Sequence, residues 1–343
     1  MGEETVLAAV RGYVSDTMRC SSDRIMSVHR FEDGNRHAVY KISYSDAAGD
    51  TRDVVVRVSV DNDPDTCAAA EREAAVLHTV QGVAGPLLYD FARTSRWFET
   101  PAMCMQFLSG HQRELHTAPP ADIEHLGSLI GWVHARPIDD LLELVGPSRS
   151  ISSYAEQRLT SILSGLAWVR DPLPALMQSR IHAVATSLEH GWNDWRDAEC
   201  FTATDALALL HGDPGPGNIV WGPTPVLINW EYARLGDPAD EIAYLYDQNG
   251  LDTHQRTAFW RGYQRSAGKA AGLEHLANRI AWWEPVTLLG STLWWVERWV
   301  RRVGAGDAGK IDSGAPKEPE YYFDHIVARL HRLNRLRGDE RGD

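Results

Sequence analysis

The chain has 343 residues, 43% of them hydrophobic and 24% charged, a globular composition long enough for two separate cores. Its formal net charge of −13 argues against general nucleic-acid binding, which needs a basic face, and is compatible with a small cationic substrate. No run approaches the roughly eighteen apolar residues of a membrane span. "MGEETVLAAV" lacks the basic start and apolar core of a signal peptide, and Val6 breaks the myristoylation pattern. Cys20, Cys67, Cys104 and Cys200 form no CxxC and read as reduced thiols. The expectation is a cytoplasmic protein, monomer or homodimer, without nucleic-acid or membrane partners.

Residues 4–18 read as a short helix. "HAVYKISYSD" and "DVVVRVSV" are β-branched runs joined by the turn-rich "DAAGDT". "DNDPDT" breaks the chain, and "CAAAEREAAVLHTV" follows as a helix. "GPLLYDFARTSRWFETPAMCMQFLSG" supplies two more strands. Beyond 115 the pattern turns helical. "PPADIEHLGSLIGWVHAR" carries a prolyl start and an apolar stripe at Ile123, Leu126, Leu129, Ile130 and Val133. Further helices are predicted at about 154–168, 174–192, 238–247, 253–267, 273–300 and 320–337, with a loop and short strands over 205–232. Residues 304–320 read as a Gly/Pro-rich loop, and "RGDERGD" as a frayed tail. The expected class is α+β: a small antiparallel-sheet lobe over 1–108 and a large, mostly helical lobe over 109–343.

"LLHGDPGPGNIVW", Leu209 to Trp221, is the stretch richest in chemistry. Phosphoryl transfer from a nucleotide needs a carboxylate to take the proton of the accepting hydroxyl, oxygen ligands for Mg²⁺ and a cation on the phosphates. Asp213 and Asn218, five residues apart across a tight Gly/Pro loop, can face one cavity and fit the first two needs. Alone the pattern is weak: HxDxxxxN arises by chance in about one chain of this length in twenty-five, and Asp and Asn serve ordinary turns equally well. The continuation "VLINWEYARLGDP" strengthens it. On a strand, Asn229 and Glu231 would share a face and could point at the same metal as Asn218.

"HGDPGPGN" followed by "INWEYARLGDPADEIAYL" resembles the signature of the aminoglycoside phosphotransferase and choline kinase superfamily. "EREAAVL", "AMCMQFLSG" and "LGSLIGWVHARP" are weaker echoes of its helix, hinge and C-lobe helix. The resemblance implies a bilobal protein-kinase-like fold, with catalytic loop 211–218 and metal-binding strand 226–233 in the helical lobe. It implies ATP or GTP with Mg²⁺, and Asp213 as catalytic base. Asn218 would be a metal ligand, and Asn229 and Glu231 would complete the metal site. Arg57 would grip phosphate and Glu73 would hold Arg57, with Glu71 as the alternative; Gln106 and Leu108 would meet the base. Gly34 and Asn35, in "FEDGNRHAVY", would lie over the phosphates. His211, Asp237 and Asp240 would be structural. Without the downstream motif, Arg57 and Glu73 read as a surface pair worth under about 1 kcal/mol.

The family has an aspartate where this chain has Asn229. One unit of charge at about 4 Å and an effective dielectric near 20 is worth about 4 kcal/mol, roughly a thousandfold in rate. Three readings stay open: Glu231 supplies the missing carboxylate; the chain binds nucleotide without turnover; or it is a weakened variant. On the acceptor side, "AWWEPVTLLGSTLWWVERWVRR" offers Trp282, Trp283, Trp294 and Trp295 as ring faces and Glu284 as a negative charge. A Trp stripe at helical spacing equally suits a core. The expected acceptor is an antibiotic or related natural product, aminoglycoside or nucleoside; the alternatives are a choline-like amino alcohol, or no turnover.

Overall fold

A computed structural model describes residues 3–31, 37–138, 141, 150–202, 206–268, 273–304 and 318–336. The elements in chain order are α1 (Glu3–Thr17), β1 (Ile25–Phe31), β2 (His37–Ser45), β3 (Thr51–Ser59), α2 (Pro64–Val80), β4 (Leu88–Ala92), β5 (Ala102–Gln106) and α3 (Pro120–His134). They continue as α4 (Ile151–Ser164), α5 (Ala175–Trp195), α6 (Glu199–Thr202), β6 (Ala208–Leu210), β7 (Ile219–Val220), β8 (Val226–Leu227) and β9 (Arg234–Gly236). The last four are α7 (Pro238–Asn249), α8 (Thr253–Ala267), α9 (Leu273–Gly304) and α10 (Pro319–Leu336). Gly34, Asn35, most of the 304–320 segment and the "RGDERGD" tail lie outside the described residues. No described helix is long and apolar enough to cross a membrane.

The chain divides into two units. The first comprises Met1–Arg113, Asp139–Val145 and His211–Ala233; the second comprises Glu114–Ile138, Gly146–Leu210 and Arg234–Asp343. This differs from a boundary at 108/109, because the loop and strands of 211–233 are hydrogen-bonded into the first unit. The Leu227 N–H donates to Ala84 O at 2.9 Å, and His111 and Trp221 exchange backbone bonds.

The first unit is built on an antiparallel sheet of order β1-β2-β3-β5-β4. The "DAAGDT" turn fixes the β2–β3 register, running from Ser45 opposite Thr51 to His37 opposite Ser59. Val10, Tyr13 and Val14 of α1 pack with Ile42, Val54, Val56, Phe98 and Cys104. Burial pushes the Cys104 thiol up to about 12, so it behaves as an apolar filler. Helix α2 starts on Asp63, whose side chain accepts from the Thr66 N–H at 2.9 Å, with Pro64 in the first turn. Its buried face carries Cys67, Ala70, Ala74 and Leu77 at helical spacing, and Glu73 lies among them.

The second unit is helical. Helices α3 and α8 cross so closely that a Cβ on Gly127 would stand 2.0 Å from Phe259 O, and one on Gly262 would stand 1.9 Å from Glu124 O. Buried polar groups lock the other helices. His134 of α3 bonds Glu241 Oε2 of α7 at 2.9 Å and Tyr263 OH of α8 at 3.0 Å. Asp237 caps α7 and also accepts from Arg279 Nε (3.1 Å) and Trp283 Nε1 (2.8 Å) of α9.

Because backbone blocks the missing methyl, Gly262→Ala must push α3 and α8 apart. It should cost about 1–3 kcal/mol, read as a lower urea midpoint. The same change at Gly191, where nothing lies within 4 Å, should be neutral or slightly stabilising.

Candidate active site

Asp213 and Asn218 meet in the first unit. Asn218 Nδ2 donates to both the backbone oxygen and the Oδ2 of Asp213, each at 2.9 Å. The loop holds this shape through Gly212 at φ 91° and through Asn218 N–H to Gly215 O at 2.9 Å. His211 is fully buried. Its Nδ1 accepts the Asp213 N–H at 3.2 Å, so its Nε2 carries the proton and donates to Ile228 O at 2.9 Å. The imidazole thus ties the Asp213 loop to the segment containing Asn229. With its amide nitrogen committed to Asp213, Asn218 has Oδ1 as its remaining polar side-chain atom.

Arg57 and Glu73 form a buried pair, with side chains 9% and 2% exposed, so it is no surface contact. Glu73 Oε2 takes Arg57 Nη2, while Oε1 accepts the backbone N–H of Trp230 at 3.1 Å. Helical spacing explains the choice between the two glutamates: Glu73 shares the buried face of α2, and Glu71 pairs instead with exposed Arg93. Arg57 Nη1 also reaches Asn229 Oδ1 at 3.4 Å, and Nη2 lies 3.5 Å from Met103 Sδ. At the end of β5, the Gln106 N–H is committed to Leu87 O at 2.9 Å and does not serve a base. Leu108 follows just beyond the strand.

The expected strand face for Asn229 and Glu231 is not there. Asn229 sits in the left-handed region (φ 65°, ψ 62°), tolerable for Asn, and Trp230–Tyr232 is a single 3-10 turn. The two side chains therefore do not alternate across a pleat. Asn229 Oδ1 faces Arg57, whereas Glu231 Oε2 lies 3.5 Å from His37 Nε2. Arg72 Nη2 holds the Glu231 backbone oxygen at 3.1 Å. Among the described residues no group of three or more His, Cys, Asp or Glu could hold a metal ion. Protein-held Mg²⁺ wants one or two carboxylates beside the phosphates. Asn229 supplies none, and Glu231 faces a histidine. The chain's own donors do not make the expected metal site.

His37 and Met103 escaped the sequence reading. Both sit on sheet positions without a motif. The hairpin register offered the one signal, because it places His37 opposite Ser59, two residues along from Arg57 and on its face.

In the second unit, most of the acceptor-side candidates are occupied by packing. Trp283 is fully buried against Asp237, and Trp282 packs on Trp192, Phe201 and Trp283. Trp295 stacks on His325 of α10 with centroids 4.1 Å apart. Trp294 is exposed and lies under the Arg298 guanidinium. Glu284 pairs with Arg256, Glu297 with Arg301, and Asp247 with Arg332. Asp240 bonds Arg234 Nη2 at 3.1 Å and takes the Tyr154 hydroxyl. Burial raises the Asp237 carboxyl, against the pull of Arg279. It also pushes the Asp247 carboxyl up to about 6, against Arg332 and Arg329.

The described sheet and helices form the kinase-like phosphotransferase fold, an α+β arrangement also seen in solved small-molecule kinases. A protein of Ralstonia eutropha JMP134 assigned as an aminoglycoside phosphotransferase aligns at TM-score 0.66 and 12% identity, covering 96% of this chain and 97% of its own. Choline kinase LicA from Streptococcus pneumoniae aligns at TM-score 0.59 and 14% identity, over 96% and 97%. Spectinomycin phosphotransferase APH(9)-Ia, solved with ADP and spectinomycin, aligns at TM-score 0.58 and 11% identity, over 91% and 94%. At such identities the likeness is one of fold. No curated protein matches the chain significantly. The model of the phosphotransferase enzyme family (APH) matches residues 27–274, and the chain belongs to that family.

Two outcomes test this geometry. Glu73→Ala strands a buried guanidinium and frees the Trp230 N–H, and should cost about 3–5 kcal/mol in urea unfolding, against under about 1 kcal/mol for Glu71→Ala. Asp247 binds its proton more tightly folded than unfolded. Its contribution is therefore fully present below its ordinary value of 3.8 and is lost as pH rises through about 6. Asp247→Asn should flatten the stability profile across that window, by at most about 3 kcal/mol.

Proposed function

We propose that this chain is an ATP- or GTP-dependent O-phosphotransferase acting on a hydroxyl of a small molecule, an antibiotic or related natural product of aminoglycoside or nucleoside type. The observation that carries this reading is the Asp213–Asn218 contact in a loop that His211 ties to the Arg57–Glu73–Asn229 cluster. Asp213 would accept the proton of the acceptor hydroxyl as its oxygen attacks the γ-phosphorus, the bond from that phosphorus to the β–γ bridging oxygen breaks and the nucleoside diphosphate leaves. Asn218, bonded to Asp213, would fix the carboxylate's direction. Arg57, always charged and held by Glu73, would grip phosphate oxygens. The carbonyl of Gln106 and the backbone at Leu108 would meet the base. Asn218 Oδ1 would be this chain's oxygen for a Mg²⁺ bound with the nucleotide, an ion that would neutralise phosphate charge.

Solved relatives of this fold carry ADP with spectinomycin or hygromycin B, which supports a nucleotide and a hydroxyl-bearing natural product here. Choline and ethanolamine kinases share the fold equally. The commitment of Glu284, Glu297 and Asp247 to arginines supports the natural-product reading over a quaternary ammonium. Four free cysteines and no membrane-spanning helix among the described residues fit a cytoplasmic setting.

A second reading has its own support. Asn229 faces a guanidinium, as suits a nucleotide-binding protein without turnover. Phosphate transfer against a panel of nucleoside antibiotics, aminoglycosides and choline separates the two. Asp213→Ala should lower transfer at least about a thousandfold while the unfolding midpoint stays put. Full activity in that variant would sink the assignment of the base. Nucleotide binding without turnover on any acceptor would favour the second reading.

A further inference from the structure

The Arg57–Asn229 contact reverses the polarity expected of a metal site. Arginine carries only donors, so the Asn229 atom facing Arg57 Nη1 at 3.4 Å must be the carbonyl oxygen. That leaves Nδ2, with two N–H groups and no protein partner among the described residues, as the other polar end of the Asn229 side chain. The guanidinium holds the amide this way round, since turning it over would set N–H against N–H. Asn229 sits in the left-handed region, and the next residue's N–H is fixed to Glu73 Oε1 at 3.1 Å. Arg57 in turn uses Nη2 on Glu73 and Met103 and Nη1 on Asn229, so N–H groups remain to donate. Glu231, the nearest carboxylate in sequence, stands 3.5 Å from His37 Nε2.

A cluster rich in donors offers a divalent cation few ligands and suits phosphate oxygens. We propose that Arg57 and the Asn229 amide bind the phosphate oxygens of a nucleoside triphosphate directly, so that nucleotide binding to this chain does not depend on a divalent cation. The inference rests on the nucleotide-binding reading of the site and adds to it how charge on the phosphates is met. Direct guanidinium and amide donation replaces the carboxylate–metal–phosphate bridge.

The test is titration calorimetry of the full chain with ATP and with GTP, in excess Mg²⁺ and again in EDTA. For the unaltered chain the two dissociation constants should agree within about threefold. Asn229→Asp removes the amide donors and supplies a carboxylate. It should weaken binding in EDTA by about tenfold or more and make binding Mg²⁺-dependent. Asn229→Ala, which keeps the metal arithmetic unchanged, should weaken binding equally with and without Mg²⁺. Circular dichroism and the unfolding midpoint confirm that each variant is folded. A tenfold or greater loss of affinity for the unaltered chain in EDTA overturns the proposal while leaving nucleotide binding intact. Failure of both nucleotides to bind in either condition overturns the nucleotide reading itself, and this inference with it.

Discussion

One carboxylate organises the first unit. Glu73 is nearly unexposed, and burying an unpaired charge there would cost several kcal/mol. The fold therefore has to bring it partners. It takes the guanidinium of Arg57 from the sheet and the N–H of Trp230 from the chain that returns after the helical segments. Three stretches far apart in sequence are thus held at one point. Everything else in the site is positioned relative to it: Asn229 because it precedes Trp230, Ile228 because it precedes Asn229, and Asp213 because His211 bonds Ile228.

The same economy appears in the second unit, where Asp237 caps α7 and accepts from two residues of α9. A helix start, a buried arginine and a buried tryptophan are satisfied by one side chain. This is why the tryptophans of α9 belong mainly to the core. Their rings carry much apolar area, and Trp283 donates its single N–H to Asp237, as buried indoles must. The acidic residues of these helices are similarly committed to arginines. The net charge of −13 is therefore not a measure of charge offered to an acceptor.

Asn229 stands where the resemblance led one to expect an aspartate, and its surroundings fit an asparagine. An aspartate there would stand beside Arg57 as a second carboxylate competing with Glu73. An asparagine contributes an oxygen without a charge, leaving the Arg57–Glu73 pair balanced. The left-handed backbone accommodates either residue, so the choice between them is electrostatic, not conformational.

Element existence was written locally. The β-branched runs, the Asp63–Pro64 start of α2, the Pro120 start of α3 and the apolar periodicity of the later helices announce themselves through propensity and caps that act within a few residues. The spacing of Asp213 and Asn218 was equally local, and so was the position of Glu73 on the apolar face of its helix. Asn229 and Glu231 were not legible. "LINWEYA" has the alternation of a strand, but a tertiary bond from Glu73 to the Trp230 N–H turns it into a left-handed residue and a tight turn. His37 reaches Glu231 only because a hairpin register and a long-range return coincide. The sequence by itself determined which segments would be helix or strand and which residue types were on hand for a site. The tertiary structure decided which of them are already spoken for, because the partner of a buried charge is chosen by packing between distant segments.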